Sequence, residues 1–318
     1  MTINRRGLFS LGAAGALVAA TGQPASAAES GPSDEALVRS LPGFRSGYAT
    51  VNGVRLHYVA GGRGRPLVLL PGWPETWWEF HKIMPALASR YRVIAVDMRG
   101  QGGSDKPAGA YDKKTMARDV RELVRHLGYS TVDIVGHDIG AMVAFSFAVN
   151  HPDATRSVTV IDVAHPNEDL FKIPLLAPPG QPFQLWWFAF NQVHGLPEQL
   201  LTGRFGYLVD WLFDTLLFNP AAVTARDRAI YARAYDRPDA IRAGAAWYQG
   251  FYQDIEDQKA YGKVTAPMLG IAASYNNIED TLLPRGTDVH ITKVDGTGHF
   301  IPEEQPDAVV KALTNFLS

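Results

Sequence analysis

The chain has 318 residues, 46% of them hydrophobic, enough to bury a large core in one domain with an insertion. Its 30 basic and 32 acidic residues leave a net charge of −2 with no long run of one sign, which argues against nucleic acid or an anionic membrane as partner. There is no cysteine, so thiol catalysis, disulfides and thiolate metal sites are excluded.

The first 27 residues read as an export signal. Asn4-Arg5-Arg6-Gly7-Leu8-Phe9 precedes a short apolar run, Leu11 to Ala20, and Ala25-Ser26-Ala27 forms an A-x-A exit. The paired arginines point to the twin-arginine route and a secreted or extracytoplasmic protein. The apolar run is shorter than the ~20 residues a membrane-spanning helix needs, so no stable membrane anchor is expected. Residues 28–47, with Pro32 and small polar neighbours, read as a flexible leader.

Residues 48–163 carry the first part of an α/β core. Tyr48 to Val59 alternates around Asn52-Gly53, the signal of a hairpin. Pro66 to Leu70 is a continuous apolar run, as in a strand buried on both faces. It ends in Pro71-Gly72-Trp73-Pro74, and Trp77 to Leu87 has helical spacing. Tyr91 to Val96 is the next strand, and the loop from Asp97 to Pro107 reads as a structural brace. Thr115 to Leu127 is an amphipathic helix. Strands alternating with helices imply a parallel sheet whose ligands gather at the carboxyl ends of its strands.

The strand from Val132 to Val135 then runs into Gly136-His137-Asp138-Ile139-Gly140, with a helix-forming run behind it. This is the strand-turn-helix nucleophile elbow, with Asp138 where serine is commonest. A carboxylate attacking a carbonyl would make a reactive anhydride, whereas at saturated carbon it makes an ordinary ester. Epoxides and alkyl halides are the matching electrophiles. The competing reading is an elbow relic whose Asp138 merely caps the next helix.

Ser157 to Val163 is the sixth strand, ending at Asp162. From residue 164 to 262 strand signals vanish and the chain turns helical and aromatic, which reads as a cap over the active edge. The second part of the core, 263–318, has strand patterns at Pro267 to Ala272 and Asp288 to Val294, then a helix from about Pro302 to Leu317. Of seven tryptophans, Trp186, Trp187, Trp211 and Trp247 fall in the insertion, while Trp73, Trp77 and Trp78 follow the third strand. An apolar pocket above Asp138 is expected from them, with Trp73, Trp186, Trp187 and Trp247 as substrate contacts and Trp211 as packing.

His299, between glycines in Gly296-Thr297-Gly298-His299-Phe300 after the last strand, stands where a base is needed. The acid orienting it is Asp162, with Glu279 or Asp280 as the alternative after the seventh strand. Backbone N–H groups of Trp73 and Ile139 are the candidate oxyanion donors.

Together, GHDIG at 136–140, DMRGQGGSDKP at 97–107 and GHFIPEEQPD at 298–307 resemble the epoxide hydrolase and dehalogenase branch of the α/β-hydrolases. The resemblance, closest to secreted epoxide hydrolases, implies a mostly parallel eight-stranded sheet with helices on both faces and the helical cap after the sixth strand. It also implies no cofactor and no metal, and Tyr248, in Trp247-Tyr248-Gln249, as the cap acid on the epoxide oxygen. The chain departs from the branch in three ways. Pro71 replaces the usual His before Gly72, no Tyr or His occurs in 184–190, and no arginine follows the nucleophile. The expected activity is hydrolysis of a small apolar epoxide to a vicinal diol. Its rivals are a dehalogenase using Trp186, Trp187 and Tyr248 around the halide, and a catalytically silent binding protein.

Overall fold

A computed structural model describes residues 32–174, 176 and 185–318, so the export signal expected at 1–27 lies outside the described residues. Eight strands form one sheet in the order β1-β2-β4-β3-β5-β6-β7-β8. They are β1 (Phe44–Val51), β2 (Val54–Gly61), β3 (Arg65–Leu70), β4 (Tyr91–Asp97), β5 (Val132–His137), β6 (Thr155–Ile161), β7 (Met268–Ala273) and β8 (Val289–Val294). β2 pairs antiparallel with β1 and with β4, and the other five pairings are parallel.

Burial follows position in the sheet. Every residue of β5 and β7 is buried, because helices cover both faces of the centre. The edge strand β8 has only Val294 buried. In the β1–β2 hairpin, Asn52 and Gly53 have φ of 46° and 77°, as a two-residue turn matching the strand twist requires. The amphipathic helix begins at Lys113 and ends at His126, capped by Asp112 Oδ1 accepting from Thr115 N–H at 2.7 Å. Its apolar stripe, Met116, Val120, Leu123 and Val124, is buried.

Three expectations need correction. The leader expected over 28–47 gives way to structure by Asp34: a helix, Asp34–Arg39, is capped by Ser33 and buries Leu37, and β1 already starts at Phe44. Asp34 also accepts from Trp77 Nε1 at 3.0 Å, which ties the helix to the core. The run from Trp77 to Leu87 is a 3₁₀ turn, Trp77–Phe80, and a single α turn, Met84–Leu87, rather than one helix. All four residues of that 3₁₀ turn are buried, and helical continuity yields to their separate tertiary ties. The last helix is broken at Pro306, which has no N–H to give, into Ile301–Glu304 and Pro306–Phe316.

Between β6 and β7 the described chain is helical, with Trp186–Asn191, Leu196–Leu201, Phe205–Leu216, Ala225–Tyr235, Pro238–Gln249 and Phe251–Ala260 as its α-helices. Pro238–Gln249 turns its small residues Ala243 and Gly244 to the core, so that a Cβ on Gly244 would stand 2.9 Å from the Trp73 indole nitrogen. This close approach seats the insertion on the loop after β3. No helix among the described residues is long and apolar enough to cross a membrane.

Candidate active site

The turn from β5 into the helix Ile139–Asn150 sets Asp138 at φ 49°, ψ −121°, a conformation that L-residues rarely adopt. Its flanking glycines are required by close approach. A Cβ on Gly136 would lie 2.0 Å from the Gly140 carbonyl oxygen, and one on Gly140 would lie 2.0 Å from that of Leu70. The Asp138 side chain makes no cap to its helix. Instead Oδ1 accepts from Trp73 N–H at 3.0 Å, and Oδ2 lies 3.6 Å from His299 Nε2. The reading of Asp138 as a helix cap is therefore excluded by geometry.

His299 Nδ1 and Asp162 Oδ2 are 2.7 Å apart. Asp162, just past β6, has φ 63° and is fixed by its own N–H to Ile271 O at 2.8 Å. Asn276 Nδ2 donates to Asp162 Oδ1 at 2.9 Å and to its carbonyl at 2.7 Å. Burial alone would raise the Asp162 carboxyl, but the hydrogen bond and charge interaction with His299, followed by His137 and Asn276, outweigh it and hold the group below its ordinary value. Of the alternative acids, Glu279 instead pairs with Lys293 at 2.5 Å on the surface. Neither it nor Asp280 lines the pocket.

That pocket has a volume of about 500 Å³ and places Asp138, Asp162 and His299 on its floor. The insertion contributes Trp187, Phe188, Leu212, Leu216 and Tyr248 to its walls, and the core contributes Trp73 and Met142. No lysine or arginine lines it among the described residues. The Tyr248 ring packs edge-on against Trp73 and Phe188, at centroid distances of 5.3 and 5.2 Å. Burial, with the nearby charge of Asp138, pushes its hydroxyl well above the ordinary tyrosine range, and a hydrogen bond from Trp187 works against that rise.

Two expected substrate contacts do not reach this space. Trp247 is fully buried, and its Nε1–H donates to the Arg99 carbonyl at 3.0 Å, where it ties the insertion to the loop after β4. Trp186 is 36% exposed, packs edge-on against Trp211 at 5.3 Å and does not line the pocket. Helical spacing puts neighbouring residues about 100° apart, so only Trp187 of the pair faces the cavity. Trp77 and Trp78 are likewise buried outside it, with Trp78 Nε1–H donating to Asp227. The loop after β4 acts as the expected brace: Gln101 Nε2 donates to the Gly72 and Glu75 carbonyls at 3.0 and 2.9 Å.

The sequence of the alpha/beta hydrolase fold family matches residues 65–278. The chain belongs to the α/β-hydrolase family. This α/β-hydrolase is 37% identical over 283 residues to a soluble epoxide hydrolase of Corynebacterium sp. (strain C12), covering 85% of this chain and 96% of the relative. It is 30% identical over 295 residues to a fluoroacetate dehalogenase of Burkholderia sp., covering 87% and 94%. Among solved structures, the epoxide hydrolase CorEH without ligand superposes with a TM-score of 0.77 at 35% identity, covering 86% of this chain and 98% of that one.

Sequence reasoning missed two parts of the hydrolase's site. Asn276 was within reach, as a short amide in the loop after β7 at the active edge. Glu75 and Glu79 were not, since acidic residues in a turn are ordinarily solvated and here both are fully buried. Among the described residues, two sets of three acid or imidazole groups, Asp34, His57, Asp97 and Glu75, Glu79, His137, lie within 4.8 Å of one another. Neither set lines the pocket.

Proposed function

We propose that this enzyme hydrolyses neutral, apolar epoxides to vicinal diols through an ester on Asp138. The observation that carries the reading is a carboxylate at the elbow with a histidine 3.6 Å from it, itself held by a second carboxylate at 2.7 Å. An Asp138 oxygen attacks an epoxide carbon, the carbon–oxygen bond breaks, and the released oxygen takes the Tyr248 hydroxyl proton. The Trp187 hydrogen bond to the Tyr248 oxygen leaves that hydroxyl proton free to point at substrate. Tyr248 is held protonated partly by the charge on Asp138. That charge moves onto the substrate oxygen as the ester forms, so the proton is released in the step that needs it.

In the second half, His299 Nε2 takes a proton from water and the hydroxide adds to the ester carbonyl. Asp162 stabilises the resulting imidazolium. The Trp73 N–H, already on Oδ1, and the Ile139 N–H would hold the tetrahedral oxyanion. Collapse breaks the acyl–oxygen bond, the departing alkoxide takes the His299 proton to give the diol, and the proton of the added hydroxide passes through solvent to the Tyr248 oxygen, which restores Asp138 as a carboxylate. No cofactor or metal enters these steps. The helical insertion acts as a cap that keeps the ester away from bulk water. Export through the twin-arginine route is part of the same proposal, carried by the sequence of residues 1–27.

A second reading, dehalogenation, is favoured by the 30% identity to a fluoroacetate dehalogenase and by the Tyr248 hydroxyl, which the Trp187 hydrogen bond leaves free to donate to a halide. The absence of lysine and arginine from the pocket lining among the described residues is poorly suited to a small carboxylate substrate. Mass spectrometry of His299→Gln incubated with an aromatic epoxide, an alkyl halide and fluoroacetate separates the readings. An epoxide adduct on Asp138 supports the hydrolase, adduct with halides alone selects dehalogenation, and no adduct across the panel selects a silent binding protein.

A further inference from the structure

Behind the nucleophile lies a set of buried polar groups with no part in the steps above. Glu75, Glu79 and His137 are all at 0% exposure, on the loop after β3, the 3₁₀ turn that follows and the elbow. Glu79 Oε2 accepts from Gly72 N–H at 2.7 Å, and the next N–H in the chain, that of Trp73, is the donor to Asp138. Glu79 Oε1 lies 3.2 Å from His137 Nδ1. The other ring nitrogen, His137 Nε2, is 2.9 Å from the carbonyl oxygen of His299.

This arrangement fixes a proton count. A carbonyl can only accept, so His137 Nε2 must carry hydrogen. A neutral His137 then has a bare lone pair at Nδ1, 3.2 Å from Glu79 Oε1, and neither atom completes a hydrogen bond, so a charged Glu79 would face that lone pair. Glu75 has no hydrogen-bond partner at either oxygen, and its Oε2 is 3.7 Å from the same Nδ1. The nearest ammonium, Lys82, is taken by Glu303 at 2.7 Å. Two enclosed acids facing one imidazole cannot both be charged at a tolerable cost.

We infer that Glu79, packed as a protonated acid between the Gly72 N–H and His137, is a positioning residue that holds the loop after β3, the elbow and the His299 loop in register. The inference rests on Asp138 and His299 acting as proposed. Removing the proton would set a carboxylate against the His137 lone pair, beside Glu75, with Asp138 on the elbow and Glu303 of the helix Ile301–Glu304 adding repulsion. Lys82 and Tyr231 answer only Glu303, and the Tyr235 hydroxyl is spent on the Glu75 carbonyl. Burial, resisted mainly by the Gly72 N–H, lifts Glu79 to about 8, and burial with the charge of Glu79 lifts Glu75 well above the carboxylate range. Tyr248 titrates far higher, so it does not obscure a change near this pH.

The test is the pH dependence of kcat and KM for wild type, Glu79→Gln and Glu79→Ala, from about pH 6 to about pH 10. Glutamine can accept from Gly72 and stays neutral beside His137, as the protonated acid does. Wild-type kcat should fall with a one-proton midpoint near 8 while KM moves little, and Glu79→Gln should lack that fall. Glu79→Ala should lose kcat on the order of 10²-fold through misplacement of the donor and base, with Glu79→Gln recovering most of it. A wild-type kcat level through this range, an unchanged fall in Glu79→Gln, or a glutamine variant as damaged as alanine overturns the inference. So does a stoichiometric divalent cation in the purified protein whose removal abolishes the fall. If Glu79→Ala fails to fold, the comparison of wild type with Glu79→Gln still decides. Failure of the Asp138 reading would show separately, as no trapped ester in His299→Gln.

Discussion

Asp162→Asn tests the division of labour in the site. The substitution keeps an oxygen for Asn276 but turns an NH₂ toward His299 Nδ1, now 2.7 Å from Oδ2. Nδ1 must then accept, which moves the ring proton to Nε2, the atom that should take a proton from water. A hydrogen bond to a charged partner is worth about 1.5–3 kcal/mol. At 1.36 kcal/mol per factor of ten, its loss alone slows ester hydrolysis by about 10- to 150-fold. The wrong tautomer carries the loss further, toward ~10⁴ as found where such a histidine is locked with its base nitrogen protonated. Alkylation of Asp138 does not use His299 as a base and should keep a rate near that of wild type. Rapid mixing with an aromatic epoxide should therefore give a burst of one equivalent per site followed by slow turnover, with the ester visible by intact-protein mass. Alkylation slowed as much as hydrolysis, or undiminished steady-state turnover, would refute the assignment of Asp162 to the second step.

Tyr248→Phe removes the only hydroxyl proton proposed for the leaving oxygen and should slow alkylation by about 10²- to 10⁴-fold, read as loss of the burst with the fold intact by circular dichroism. Glu279→Gln should leave kcat unaltered and the midpoint of denaturant unfolding close to that of wild type, since its Lys293 partner is a surface one. Fluoroacetate should release no fluoride under conditions that turn over a neutral epoxide, because no lysine or arginine among the described residues lines the cavity. The stability that Asp162 gains over Asp162→Asn should be present above its ordinary value of 3.8 and fade as pH drops through its lowered folded-state value, in thermal unfolding at a series of acid pH values.

Much of this site was legible because its chemistry is tied to backbone punctuation. The glycines at 136 and 140 mark a turn that no other residue could make, and the apolar runs of β3, β5 and β6 are long enough to give the period of a buried sheet. Asp162 could be read from its place at a strand end. What the sequence hid was direction. Trp186 and Trp187 are adjacent and chemically identical, and only the helix phase decides which one faces the pocket. Trp247 and Tyr248 divide the same way, one into the Arg99 carbonyl and the other into the pocket. The helix Asp34–Arg39 was missed because six residues give too little period to outweigh proline and serine beside it, and its stability comes from Leu37 and the Trp77 contact.

The reactivity proposed for Asp138 follows from what the pocket withholds. Asp138, Asp162 and Asp169 all line it, yet among the described residues His299 is the only lining Asp, Glu, Lys, Arg or His side chain in hydrogen-bonding contact with Asp162, and the Asp138 carboxylate has one N–H donor, from Trp73. A lysine or arginine beside Asp138 would lower its nucleophilicity and favour anionic substrates, so under the proposed reaction the lack of either among the described lining residues would act on rate and specificity together. Both carboxylates also sit at positive φ, 49° and 63°, each costing on the order of 1–3 kcal/mol. The surroundings enforce this: Gly140 is wedged on the Leu70 carbonyl, and Asp162 is tied to Ile271 and Asn276. Strain at two adjacent strand ends, held by rigid neighbours, keeps Asp138 and Asp162 on opposite sides of the His299 imidazole.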